Sequence, residues 1–200
     1  MPNIVQVQKT EVLKCKLRHA FLAVQHCASV WQECARQQEV QLKELFNLCE
    51  QYQCCYEANV ESLELPASLN EVKSKLLYVI VEKIEQKLCA VQATICEFQK
   101  SYDKVNQARI NAFEQKPDMV YLTESRAMSP TLATMLEWLD DTERQVFVQL
   151  HLKKYLLDEM KYGDVSILQQ LLKSWLLDDT KVINKIQERL LYLEDFMNEP

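Results

Sequence analysis

Apolar residues return at three- and four-residue steps through almost the whole chain, the pattern of amphipathic helices rather than strands. From about Thr10 to Ala58, Leu17, Val24, Trp31, Leu45 and Tyr52 keep a seven-residue repeat in which Gln38 is the one polar member. Phe21, Ala28, Ala35, Leu42, Cys49 and Tyr56 stand four residues after each of these positions. Two columns sustained over several heptads predict one long helix of coiled-coil or bundle type. A helix of ~48 residues would run ~70 Å at 1.5 Å per residue, so it needs a partner of similar length. The sequence supplies one. Leu65-Pro66-Ala67 interrupts the first helix, and Ser68 with Glu71 forms an S-x-x-E capping box. Leu69, Val72, Leu76, Ile80, Ile84, Leu88, Val91, Ile95, Phe98, Tyr102, Val105 and Ala112 then follow at helical spacing to about Gln115. Two long helices on a short link predict an antiparallel hairpin.

Lys116-Pro117-Asp118 ends the second helix, and residues 119–128 show no period and read as a linker. Ser129 is the expected N-cap of the next helix, with Pro130 at its first position. Leu132, Met135, Leu136, Leu139, Val146, Leu150 and Leu157 share one face of that helix, and Trp138, Leu152 and Leu156 form a second stripe. A helix apolar on two stripes touches two neighbours. Trp138 is therefore expected to wedge between the C-terminal helices and the hairpin. Gly163, the only glycine in the chain, stands where a left-handed C-cap is expected. Asp164 caps a helix bearing Ile167, Leu168, Leu171, Leu172 and Trp175, and Asp178-Asp179-Thr180 caps the last, which runs through Val182, Ile186, Leu190 and Met197. The predicted fold is all-α: a long, coiled-coil-like antiparallel helical hairpin over residues 1–118, a linker, and a smaller C-terminal helical unit over 129–200.

Composition agrees. One Gly and five Pro in 200 residues leave few turns, hence few and long elements. No apolar run reaches the ~18 residues that suggest a membrane span, and the first dozen residues lack a signal-peptide core. A nuclear and cytoplasmic protein is expected, with no membrane partner. A net charge of −6 argues against direct nucleic-acid binding. Eight cysteines without an export signal are expected as reduced thiols. Cys27 and Cys34, like Cys89 and Cys96, are seven apart, and Cys55 lies three heptads past Cys34, so these are expected on packed faces.

Candidate chemistry is sparse. There is no C-x-x-C, H-E-x-x-H or G-x-S-x-G, and one glycine cannot build a phosphate loop. No intrinsic ATPase or hydrolase activity and no cofactor are expected. Cys15, His19 and His26 share one side of the first helix, but closed zinc sites draw four ligands from separated segments, so a half-exposed polar edge is the simpler reading. Glu137, Asp140, Asp141 and Glu143 form a carboxylate cluster expected on a solvated face. Lys9, Lys14, Lys16 and Arg18 make a short basic edge diluted by Glu11, and Lys153-Lys154 reads as another solvated edge. Trp31, Trp138 and Trp175 are core residues by default, though tryptophan is enriched in binding hot spots. The hairpin also carries more apolar surface than one antiparallel neighbour covers, with Cys27, Cys34, Leu48 and Cys55 on the first helix and Leu77, Val79 and Val81 on the second. A helical partner is expected to cover the rest.

Within the C-terminal unit, Ser129-Pro130, Met135-Leu136-Glu137-Trp138-Leu139, Glu143-Arg144, Lys154-Tyr155-Leu156-Leu157 and Gly163-Asp164 together resemble the AIRIM family of small ribosome-maturation factors. The likeness extends, more sparsely, to Trp31-Gln32 and Asn47-Leu48-Cys49-Glu50-Gln51. The resemblance implies a non-catalytic adaptor that works with an AAA+ ATPase to extract assembly factors from large ribosomal subunit precursors. It implies a second helical subunit, CINP-like, and a further connection to replication forks. Trp31, Ser129, Pro130, Met135, Leu136, Trp138, Leu139, Tyr155, Gly163 and Trp175 are the candidate interaction or anchor residues. The alternative is a structural coiled-coil subunit of a tethering, cytoskeletal or kinetochore-type assembly.

Overall fold

The computed structural model describes residues 4–58, 68–124, 130–176 and 179–198. Among them every regular element is a helix: α1 (Ile4–Glu57), α2 (Ser68–Phe113), α3 (Met119–Leu122), α4 (Leu132–Asp158), α5 (Val165–Leu176), α6 (Asp179–Tyr192) and α7 (Glu194–Asn198). The fold class is the expected one, with α1 and α2 packed against each other. The break at Leu65-Pro66-Ala67, the N-cap expected at Ser129, and Asp178 lie outside the described residues.

The chain forms two compact units. The first comprises Met1–Glu33, Glu97–His151 and Asp179–Pro200, the second Cys34–Cys96 and Leu152–Asp178. Each takes a stretch of α1, a stretch of α2 and part of the C-terminal helices. In the first unit, Lys16 Nζ donates to the Asn111 carbonyl at 2.9 Å, Ser101 Oγ to Cys27 Sγ at 3.4 Å, and the Trp31 ring stacks on Phe98 at 5.0 Å. Partner numbers fall along α2 as they rise along α1, which is antiparallel pairing. Leu17, Phe21, Val24 and Trp31 are buried in this core, as are Phe98, Val105, Met135, Leu139 and Leu150. In the second unit Leu42, Leu45 and Cys49 are buried with Ile80, Ile84, Val91, Leu156, Leu168 and Trp175.

Two caps differ from expectation. The helix expected from Pro130 starts at Leu132, because Thr131 supplies the acceptor: its Oγ1 takes the Thr134 N–H at 3.2 Å. Pro130 precedes that cap. Gly163 is not a left-handed C-cap. The helix ends at Asp158, and no glycine has positive φ. Gly163 lies instead in the turn closed by the Asp164 N–H on the Lys161 carbonyl. Asp164 caps α5 as expected: its Oδ1 accepts from the Ile167 N–H at 3.1 Å and Ser166 Oγ at 2.7 Å, and these bonds hold its carboxyl below the usual value. A Cβ on Gly163 would meet nothing within 4 Å. Gly163→Ala should therefore be neutral or stabilise by up to about 1 kcal/mol, because it restricts only the unfolded chain. Thermal melts check this; a loss of several degrees would restore the left-handed reading.

All eight cysteines are free thiols. Burial pushes Cys27 and Cys49 up to about 11, so both stay protonated and pack as small apolar groups. Cys89 and Cys96 depart from the expected packed face. They are exposed, because their column of α2 turns away from the one that packs.

Candidate interaction surface

Most residues singled out from the sequence are interior. In the first unit Trp31, Met135 and Leu139 are buried, while Pro130, Leu136 and Trp138 are half-buried. In the second unit Trp175 is buried, but Tyr155 is 60% exposed. Four of them, Trp31, Met135, Leu139 and Trp175, are thus buried within the fold.

Trp138 is shallower than expected. Its ring lies against α6, 6.2 Å from Tyr192 and 5.9 Å from the Arg189 guanidinium, and Leu152 and Leu156 of the same stripe belong to the other unit. Trp138→Ala should therefore cost about 1–2 kcal/mol rather than a core-cavity penalty. Chemical denaturation checks this, and a loss above about 4 kcal/mol would show the ring fully buried.

The acidic cluster on α4 is not the solvated face expected of it. Arg109 of α2 reaches Asp140 at 2.7 Å and Glu143 at 3.6 Å, and Arg144 reaches Asp140 at 2.9 Å. Tyr102 donates its hydroxyl to Glu143 at 2.6 Å. Burial, reinforced by that bond, raises the Tyr102 hydroxyl far above its ordinary value. Arg189 of α6 binds Asp141 at 3.0 Å and also donates to Thr142 Oγ1 and the Trp138 carbonyl. Asp140, Asp141 and Glu143 each face a cation or hydroxyl from another helix, so they tie α4 to α2 and α6. Only Glu137 fits the solvated reading.

The basic residues are similarly engaged. Lys14 pairs with Glu11, and Arg18 donates to the Phe196 carbonyl at 3.0 Å with its guanidinium over the Phe196 ring. Lys153 is buried and is not a solvated edge. Its ammonium donates to the Trp175 carbonyl at 3.3 Å and sits 5.0 Å from that ring's centroid, where a cation suits both the C-terminal end of α5 and the aromatic face. Cys15, His19 and His26 are exposed, and no group of three or more metal-ligating side chains occurs among the described residues. No helix among them is long and apolar enough to cross a membrane.

An exposed apolar row lies along one flank of the hairpin in the second unit. Val72, Leu76 and Val79 follow at i, i+4 and i+7 and share one face of α2, yet they are 58%, 49% and 42% exposed. Ile80 and Ile84, which continue the same apolar pattern, are buried. Stepping on from Val79 along that face leads to Lys83 and Lys87, and Lys87 bridges to Glu44 of α1. From Glu44 the matching steps on α1 reach Leu48, Gln51 and Cys55, with Leu48 and Cys55 half-buried. The Glu44–Lys87 bridge thus joins two apolar rows on the same side of the hairpin. Near its end Lys73 Nζ holds the carbonyls of Tyr56 and Ala58 at 2.9 and 2.7 Å, while Tyr52 stacks on Tyr56 and meets Tyr162 edge-on.

A family model described as CA109-like, ribosome biogenesis protein C1orf109-like, matches residues 11–194. The chain belongs to this family. The chain is similar to the AFG2-interacting ribosome maturation factors of Homo sapiens, 26% identical over 194 residues, and of Mus musculus, 24% identical over 200 residues. The human alignment takes in 92% of this chain and 94% of the relative, the mouse alignment 94% and 90%. The Xenopus tropicalis factor of the same name is 27% identical over 180 residues, 87% of this chain and 84% of the relative. The likeness read from Ser129 to Trp175 thus holds across nearly the whole chain.

Family membership sharpens what the structure does with those residues. Glu143 and Arg144 help build the ionic tie between α4, α2 and α6, and Gly163-Asp164 form the turn and cap that start α5. Sequence reasoning missed the open flank as a site, because Val72 and Leu76 obey the same periodicity as the buried Ile80 and Ile84. Val79 on α2 and Leu48 and Cys55 on α1 were singled out there as surplus apolar surface; Val72 and Leu76 were not.

Proposed function

We propose that this chain is a non-catalytic adaptor subunit that works with an AAA+ ATPase in maturation of the large ribosomal subunit. Its membership in a ribosome biogenesis family supports a role in ribosome maturation, and relatives named for their interaction with AFG2 support an ATPase as partner. The observation that carries the adaptor reading is the open flank: an apolar row on Val72, Leu76 and Val79 that is exposed, beside the half-buried Leu48 and Cys55. Such a face is what a helical subunit covers. In this reading a CINP-like helical subunit seats on the hairpin, the ATPase consumes ATP to release assembly factors from precursor particles, and the chain contributes surfaces. It acts on those particles where they form and where they mature, in nucleus and cytoplasm.

Affinity purification of the full chain from cells, with mass spectrometry, tests this. An AAA+ ATPase, a second small helical subunit and large-subunit assembly factors should be enriched. Leu76→Glu should lose the helical subunit without changing the fold, since the site is exposed. Recovery of motor or filament proteins in place of the ATPase would overturn the reading in favour of a spacer.

A further inference from the structure

We propose that Cys89 and Cys96 form a peroxide-sensitive site that joins a second copy of this chain, Cys89 of each copy bridging to Cys96 of the other. The site shares no residue with the row of Val72, Leu76 and Val79 and does not depend on the adaptor reading. Both thiols are exposed, and both belong to the second unit. They stand seven residues apart on α2, two turns along one outward column, while Ile84, Val91 and Ile95 are buried on the opposite side. Gln92 and Ala93 lie between them on the outer side and are exposed as well, and Gln92 Nε2 donates to Cys96 Sγ at 3.7 Å. No charged residue occurs from Cys89 to Cys96.

The two thiols cannot bridge each other. Seven residues of helix set their Cα atoms about 10.5 Å apart, and a disulfide needs about 4.4–6.8 Å. A second copy removes the obstacle. A twofold axis across α2, midway between Gln92 and Ala93, lays an antiparallel copy with its Cys96 opposite Cys89 and its Cys89 opposite Cys96, so one axis gives two bridges. Helices packed about 8–10 Å apart, with Cα atoms about 2.3 Å off each axis, bring facing Cα atoms to about 3.5–5.5 Å, which overlaps the disulfide range. The small side chain of Ala93 beside the axis permits that approach, and no charge between the thiols opposes it. The chemistry closes with hydrogen peroxide as oxidant. One thiol attacks peroxide, the O–O bond breaks, and a sulfenic acid and one water result. The facing thiol then attacks that sulfur, the S–O bond breaks, the S–S bond forms, and a second water leaves. Each bridge thus consumes two thiols and one peroxide.

The purified full chain, fully reduced and then exposed to hydrogen peroxide, is run on a non-reducing gel, and its bridged peptides are mapped by mass spectrometry. A covalent dimer bridged from Cys89 of one copy to Cys96 of the other is expected, and dithiothreitol should return the single chain. Cys89→Ser or Cys96→Ser alone should abolish the dimer as completely as the two together, because in this register the remaining thiol faces a serine. Both side chains are exposed, so the variants should keep the circular dichroism and melt of the unaltered chain. A dimer that persists in either single variant, a bridge between like residues, a dimer joined through Cys15 or Cys54 instead, or no covalent dimer overturns the inference.

Discussion

Trp175→Ala should cost about 3–5 kcal/mol, the penalty for deleting a fully buried large aromatic. The ring is the hub of the second unit. Its Nε1 donates to Gln38 Oε1 at 3.1 Å, Gln38 Nε2 donates to Thr94 Oγ1 at 2.8 Å, and Lys153 contacts both its ring and its carbonyl. Gln38 is the polar member of an otherwise apolar column, and the network explains it: a buried amide survives there because both its ends are bonded. Truncation opens a cavity and also strips Gln38 of its donor. At roughly 2–4 °C per kcal/mol for a chain of this size, a thermal melt should fall by on the order of 10 °C. A shift under about 2 °C would show that the ring is not the hub.

Trp31→Ala should be of similar size, about 3–5 kcal/mol, but the milder change to phenylalanine separates the two sites. Trp31 is stacked on Phe98 and fully buried, and its Nε1 has no hydrogen-bond partner among the described residues. Trp31→Phe removes a donor that bonds nothing and leaves the stack, so only lost volume counts against it. Trp175→Phe leaves the Gln38 carbonyl oxygen buried and unpaired, which adds about 1–3 kcal/mol. Trp31→Phe should therefore be the milder by at least about 1 kcal/mol in denaturant titration. Equal losses, or the reverse order, would contradict the hydrogen-bond assignment.

The helices and their inner faces were legible because burial writes itself into spacing. Leu17, Val24, Trp31, Leu45, Ile80, Ile84, Phe98, Met135 and Leu139 were all placed inside by period alone, and all are buried. What was not legible depended on partners distant in sequence. Asp140 and Asp141 look like solvated carboxylates until Arg109 and Arg189, 31 and 48 residues away, are brought to them. Lys153 looks like an edge until the end of α5 is laid over it. Gly163 failed for a local reason: glycine permits a left-handed cap but does not require one, and the turn before Asp164 needs no positive φ. The open flank failed in the opposite sense. Periodicity tells which residues share a face, not what covers it, so Val72 and Leu76 read as core and proved exposed.

Release of assembly factors in a purified system tests the adaptor claim most directly. Large-subunit precursor particles taken from cells depleted of this chain are incubated with the AAA+ ATPase and ATP, with and without the purified chain, and bound factors are counted by mass spectrometry after sedimentation. The account predicts release only when chain, ATPase and ATP are all present, and none from the chain with ATP alone. Release that proceeds equally without the chain, or that the chain drives by turning over ATP itself, would contradict it.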